Sequence, residues 1–252
     1  MLDIEFLMSV FARLIVGLPM TLQLAFVSVS LGFVLALSFA ILQEIVRYKF
    51  FCWPISALVG CIRGTPLLVQ IFIIYYGFSQ FREVIDFLGL WWFFREPYWC
   101  AILALTLNTA AYGSEIIRGS IQSVPPGQIE AAKAMGMSSS LMYRRIILPL
   151  AMRHAIPAYG NEIILIVKAT SLTSIITMVE VTKIAHEIMS QTYRATEVFI
   201  CAGLIYLTIN FIITSSMSKL EYSLSAHLRP ASNSKAKPDK SQDLPPENLC
   251  HI

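Results

Sequence analysis

Apolar residues run almost without interruption over 14–42, 54–78, 98–117, 155–179 and 198–217, and each run reaches the roughly 20 residues that a helix needs to cross a hydrocarbon core. Gly17 and Pro19 are the only breaks in the first run. The second carries the irregular Arg63-Gly64-Thr65-Pro66, and the fourth contains one lysine, Lys168. The pattern predicts an all-α polytopic membrane protein with five transmembrane helices, a single membrane domain over 1–229. Beyond it, residues 230–252 are rich in Pro, Ser and Lys without apolar periodicity and are expected to form a disordered cytoplasmic tail.

Composition sharpens this reading. Of the 252 residues 56% are hydrophobic and only 14% charged, with mean hydropathy +0.65, where a soluble domain carries about 25% charge. So few charges cannot coat a water-soluble globule, and a soluble enzyme is excluded. The net charge of +3 is too small to argue for nucleic acid. Placement of the positive residues is more informative. Twelve of the 19 lysines and arginines fall on the side that holds the 118–154 connection and five on the other, with Arg63 and Lys168 inside spans. Positive residues concentrate on the cytoplasmic side, so the N-terminus is expected outside and the C-terminus inside. The five scattered cysteines form no C-x-x-C pair, and no metal site is expected. The start, Met1-Leu2-Asp3-Ile4-Glu5, lacks the positive region of a secretory signal.

The 118–154 connection is long enough to have a function of its own. Val124-Pro125-Pro126-Gly127 stops the preceding helix, and Gln128 to Met135 are good helix formers. Gly136 interrupts them. Ser138, Ser139 and Ser140 offer cap oxygens to a second helical stretch, Leu141 to Leu148, expected to end at Pro149. The picture is two short helices joined at a glycine on the membrane surface. Its alanines are expected to form one face without bulk, which a partner could approach closely.

Glu130-Ala131-Ala132, three residues, Gly136, nine residues, Ile146, one residue, Leu148-Pro149 resembles the "EAA" loop of ABC importer permeases. Seven positions at fixed spacing make a specific signature. The resemblance extends over about residues 14–228. Arg63-Gly64-Thr65-Pro66-Leu67-Leu68-Val69-Gln70, Ala111-Tyr112-Gly113-Ser114-Glu115-Ile116-Ile117-Arg118-Gly119 and Lys168-Ala169-Thr170-Ser171-Leu172 are similar to segments of the polar amino-acid subfamily, in particular M-type subunits for histidine, lysine, arginine and ornithine or for octopine and nopaline. It implies the type I importer fold, with Glu130, Ala131, Ala132, Gly136, Ile146, Leu148 and Pro149 on a cytoplasmic coupling helix docked on an ATPase dimer. It also implies a second homologous permease, giving a heterodimer, and a periplasmic solute-binding protein. The solute would be a small polar amino acid, basic ones foremost, or an opine, carried across the bacterial inner membrane.

A charge inside the bilayer costs about 2.5–3.5 kcal/mol or more, so intramembrane ionisable groups are candidate sites. Lys168 either lines the route near a solute carboxylate or pairs with a carboxylate such as Glu115. Thr65 before Pro66 is biased away from helix. Broken helices at membrane depth line cavities, which makes Arg63, Thr65 and Gln70 pathway candidates; a plain proline kink with a snorkelling arginine is the alternative. Glu115 and Glu162 could accept a guanidinium or ammonium, although Glu115 is also spaced to pair with Arg118. Asn108 either contacts solute or ties helices together.

No G-x-x-x-x-G-K-[ST] run or other catalytic motif is present. The chain is expected to be no enzyme and to bind no cofactor, ATP and magnesium being used by the partner ATPase. An ion-gradient-driven secondary transporter of amino acids is the alternative, but it does not require the spacing from Glu130 to Pro149.

Overall fold

The computed structural model describes residues 3–45 and 49–224, and every regular element in them is helical. Helix α1 covers Ile4–Ile15 and α2 Leu18–Ile45. The second apolar run folds as α3 (Lys49–Arg63), α4 (Leu67–Phe72) and a π turn at Ile73–Gly77. Two short helices follow, α5 (Arg82–Phe87) and α6 (Trp91–Arg95), and then α7 (Pro97–Gln122). The long connection contains α8 (Pro126–Ala134), α9 (Ser139–Met142) and a π turn at Tyr143–Ile147. It leads directly into α10 (Leu148–Ala169) and a 3-10 segment at Thr170–Ile176, followed by α11 (Val181–Thr192) and α12 (Ala195–Leu224). The expected tail over 230–252 lies outside the described residues.

Three helical stretches are long and apolar enough to cross a membrane, Ile4–Glu44, Pro97–Gln122 and Ala195–Tyr222. Two bent pairs bring the number to five if each is one span: Cys52–Arg63 with Leu67–Gly77, bent by 108°, and Ser139–Ile176 with Val181–Thr192, bent by 51°. The five apolar runs thus each find helical structure, but their boundaries differ. The first expected span, 14–42, divides at Gly17: Leu14 belongs to α1, which packs on α11 and α12, and α2 starts at Leu18. The expected helix end at Pro149 is absent. Pro149 has no N–H and would crowd the carbonyl four residues back. The π turn absorbs this by shifting the register, with the Leu148 N–H reaching five residues back to the Tyr143 carbonyl.

Helix α7 is the central post. Most of its residues are buried, and α2, α3, α4 and α10 all pack on it. Its closest neighbour is α2, whose buried small residues Thr21, Ala25, Ser28, Gly32, Ala36 and Ala40 form a stripe. In a bilayer small residues let helix backbones approach, because lipid supplies no competing hydrophobic force. At Gly32 an added Cβ would lie 2.6 Å from Thr109, and at Gly113 it would lie 2.9 Å from the Tyr159 ring and 3.0 Å from Ala36.

The tightest joint lies at the α1–α2 division. A Cβ on Gly17 would stand 2.7 Å from both the Glu180 carbonyl carbon and the Val181 nitrogen. Glu180 itself is fully buried and caps α11, accepting from the backbone N–H groups of Thr182 (2.8 Å) and Lys183 (2.7 Å) and from the Tyr206 hydroxyl (2.7 Å). Thr21 adds a fourth tie, its hydroxyl accepting from the Val181 N–H at 3.4 Å. Because the obstacle at Gly17 is backbone, it cannot rotate away. Gly17→Ala is therefore expected to destabilise the protein by about 1–3 kcal/mol, read as a lower thermal midpoint of the detergent-purified protein; an unchanged midpoint would show that this joint yields.

Candidate functional site

The break in the second span is held by its own side chains. The Gln70 amide donates to the Ile62 carbonyl at 2.7 Å and to the carbonyl and hydroxyl of Thr65, both at 3.0 Å. The Thr65 hydroxyl in turn donates to the Cys61 carbonyl at 2.8 Å. These bonds satisfy carbonyls that the 108° bend removes from the helical ladder. The Asn108 amide on α7 then donates to the Gln70 oxygen at 3.5 Å. Thr65, Gln70 and Asn108 are therefore brought together.

Gln70 presents only donors to this nest, which fixes the sign of a mutational test. Gln70→Ala leaves the Ile62 carbonyl only the long 3.5 Å contact from the Thr65 hydroxyl, at a cost of about 1–3 kcal/mol. Gln70→Glu should be worse, because a carboxylate faces two carbonyls and a hydroxyl already committed as a donor. Uptake and thermal stability are expected to rank wild type, Ala, then Glu; equal Ala and Glu variants would sink this account of the break.

One step along, Arg63 and Glu115 meet. The Arg63 guanidinium lies 3.6 Å from one Glu115 oxygen and 5.5 Å above the Tyr112 ring, and the Tyr112 hydroxyl donates to the Arg63 carbonyl at 3.3 Å. Arg118 takes both oxygens of the same carboxylate, at 3.1 and 2.7 Å. The expected i,i+3 pair thus forms, and Arg63 shares it. The alternative in which Lys168 pairs with Glu115 is not what the structure contains. Lys168 lies at the end of α10 on the exposed side, with no ion-pair partner among the described residues.

Glu162 is separate from this cluster. It is buried within α10 and has neither hydrogen bond nor ion pair among the described residues. One turn away stands Tyr159, buried against Phe33 and Gly113, with an unpartnered hydroxyl. Buried Ser28 and Thr106 also keep hydroxyls without a partner. The sequence reading missed Tyr159, Ser28 and Thr106, which look like ordinary residues of apolar runs; the Tyr159 to Glu162 spacing was the available signal for the first.

On the 118–154 connection the structure corrects the alanine face. Ala132 is fully buried against Ala36, Ile117, Ile121 and Met142, whereas Glu130 and Ala131 are exposed. Adjacent helical residues point about 100° apart and cannot share a face. The outward face combines Gly127, Ala131 and Ala134, followed by the exposed Met135. Gly136 has φ +76°, and two bonds close the turn: its N–H donates to the Lys133 carbonyl at 2.9 Å and the Met137 N–H to the Ala132 carbonyl at 3.1 Å. This is a Schellman cap, which favours glycine at its left-handed position. Ile146 and Leu148 are half-buried and Pro149 is exposed.

Residues 28–225 match the family described as "Binding-protein-dependent transport system inner membrane component". The nopaline transport system permease protein NocM of Agrobacterium fabrum is 53% identical, covering 90% of this chain and 94% of the relative. The octopine transport system permease protein OccM of Rhizobium meliloti is 52% identical, over 88% and 90%. The histidine/lysine/arginine/ornithine transport system permease protein HisM of Escherichia coli K12 is 42% identical, over 86% and 90%. Among solved structures, a chain of an amino acid ABC transporter crystallised with histidines superposes with TM-score 0.79 at 34% identity, covering 88% of this chain and 99% of that one. An ion-gradient-driven carrier does not fit these matches. With its helical spans, broken second span and short helix pair, the chain belongs to the family of binding-protein-dependent transport system inner membrane components, the multi-pass permeases of ABC importers.

Proposed function

We propose that this permease passes basic amino acids or opines through the inner membrane as half of a heterodimeric core, with a second homologous permease, a cytoplasmic ATPase dimer and a periplasmic binding protein completing the importer. The observation that carries the coupling half is the exposed strip of Gly127, Ala131 and Ala134 on α8, held by a core-packed Ala132 and a capped Gly136. A strip without bulk admits a partner's surface to the backbone. ATP and magnesium act on the partner ATPase; its closure moves α8, and the spans rock between outward- and inward-open states that bind solute differently.

The solute half rests on relatives named for nopaline, octopine and histidine/lysine/arginine/ornithine transport. Each of those solutes carries a carboxylate and a cationic group. Arg63, Thr65, Gln70, Asn108, Glu115, Glu162 and Lys168 supply the complementary charges and amides. Lys168 shares the exposed face of α10 with Asn161 and Leu165. Lipid does not suit that polar stripe, so it faces the second permease or the route between them. The charge distribution supports an outer N-terminus and inner C-terminus.

Reconstitution tests this reading. The complete importer in proteoliposomes should hydrolyse ATP faster, and accumulate solute, with arginine, histidine, lysine, ornithine, octopine or nopaline outside. Stimulation by uncharged amino acids alone would remove the basic-solute assignment. Uptake driven by an imposed ion gradient without nucleotide would remove the ATP-driven one.

A further inference from the structure

Glu115 joins parts of the molecule that its sequence neighbours alone do not connect. On one side is Arg63, the last residue of α3 before the bend, held at 3.6 Å through a single shared oxygen. On the other is Arg118, one turn along α7, which holds both oxygens at 3.1 and 2.7 Å. The two grips are unequal. A bidentate arginine fixes a carboxylate in position and plane, whereas the longer contact to Arg63 is the one a small displacement breaks. The other polar ties between the break and α7 are neutral and long, the Tyr112 hydroxyl to the Arg63 carbonyl at 3.3 Å and the Asn108 amide to Gln70 at 3.5 Å.

The chain of polar contacts continues toward the cytoplasmic loop. Glu44 at the end of α2 accepts from the Gln122 amide of α7 at 3.0 Å, and Gln122 lies one turn beyond Arg118 on that helix. Glu44 also lines one cavity with Tyr143, which opens the π turn after the two-helix loop. Tyr143, Glu44, Gln122, Arg118, Glu115 and Arg63 thus form a ladder from the loop to the broken span. Only its last rung reaches α3.

We propose that Glu115 is a shared latch, positioned by Arg118 to hold Arg63 and the broken second span against α7, and that movement of the cytoplasmic loop, passed through Glu44, withdraws the carboxylate from Arg63 and frees the break. Arg118 is here a positioning residue that acts through Glu115. The inference rests on the permease reading, because a latch has meaning only if a motor works the loop. It goes beyond that reading in assigning the rung that transmits the motion.

The test uses the complete importer in proteoliposomes and reads solute moved per ATP hydrolysed, basal hydrolysis without binding protein, and thermal midpoint. Arg118→Gln removes the bidentate grip. It is expected to lower solute per ATP and raise basal hydrolysis by about threefold to tenfold each, in the range for residues that modulate coupling between sites, with little change in midpoint. Arg118→Lys, with one compact ammonium, should fall between. Arg63→Gln added to Arg118→Gln should cause little further loss, since both act on one latch. A ratio within twofold of wild type for Arg118→Gln would overturn the latch, as would a parallel fall of hydrolysis, uptake and midpoint. Should Arg118→Gln fail to assemble, Glu44→Gln at the far end of the ladder must change the ratio in the same direction, and an unchanged ratio overturns the proposal. A wild-type importer that hydrolyses ATP without moving solute would instead refute the permease reading itself.

Discussion

Ala131→Trp is expected to abolish association with the ATPase and leave the permease folded, while Ala132→Trp, one residue along, is expected to break the fold. The difference follows from a 100° step on one helix. Ala131 is exposed between Gly127 and Ala134, so an indole there meets no atom of its own chain, and exposed substitutions usually stay within about 0.5 kcal/mol. In a docked complex the same indole would occupy the space of the partner's surface. Filling a close interface centre costs at least about 2 kcal/mol, roughly thirtyfold in affinity. Ala132 has no exposed surface and packs on α2 and α7 through Ala36, Ala40 and Ile117. Overpacking there costs about 1–3 kcal/mol and more for so large a change. Co-purification with the ATPase and the thermal midpoint separate the two outcomes. Retained co-purification of Ala131→Trp at normal stoichiometry would remove α8 as the docking element.

The same turn shows how far the sequence can be read. The glycine between two short helices was legible because only a residue without Cβ tolerates φ +76° at low cost. The reason for its spacing was not, because a Schellman cap is defined by hydrogen bonds between particular carbonyls and N–H groups. The three residues between Ala132 and Gly136 place the buried alanine and the left-handed glycine at its two fixed positions. Part of the EAA spacing is therefore structural, and a run of alanines carries no periodicity from which to tell inward from outward.

The broken second span was legible for a similar local reason, since Gly64, Thr65 and Pro66 all disfavour helix. The Glu115–Arg118 pair follows from i,i+3 spacing. Arg63 sharing that carboxylate does not, because its approach depends on a 108° bend whose direction no local rule gives. Helices α1, α5 and α6 were missed as well. The first merges into an apolar run that looks like one span, and the other two are only six and five residues long. The passage of helix through Pro149 was concealed by the usual meaning of proline, which a single π turn overrides.

The largest functional loss within the spans is expected at Glu162. Glu162→Gln should lower the ratio of basic to uncharged solute uptake by at least about tenfold, equivalent to about 1.4 kcal/mol of selective binding. The carboxylate is buried and makes no hydrogen bond or ion pair among the described residues. A lone ion in such surroundings is costly unless something from outside the chain pairs with it. A guanidinium or ammonium on the solute is the counter-charge that the named relatives' substrates would bring. Glutamine keeps the shape and removes the charge, so packing alone predicts little change. Tyr159→Phe is the companion variant: it deletes a buried hydroxyl that has no partner, and losing an unpaired group is nearly neutral for stability. If the hydroxyl also serves the solute, uptake falls while the thermal midpoint holds. If Glu162→Gln transports arginine and an uncharged amino acid in the wild-type ratio, the carboxylate belongs to the helix packing and the solute's positive end is received elsewhere. Glu115, the carboxylate on α7, is already claimed by two arginines.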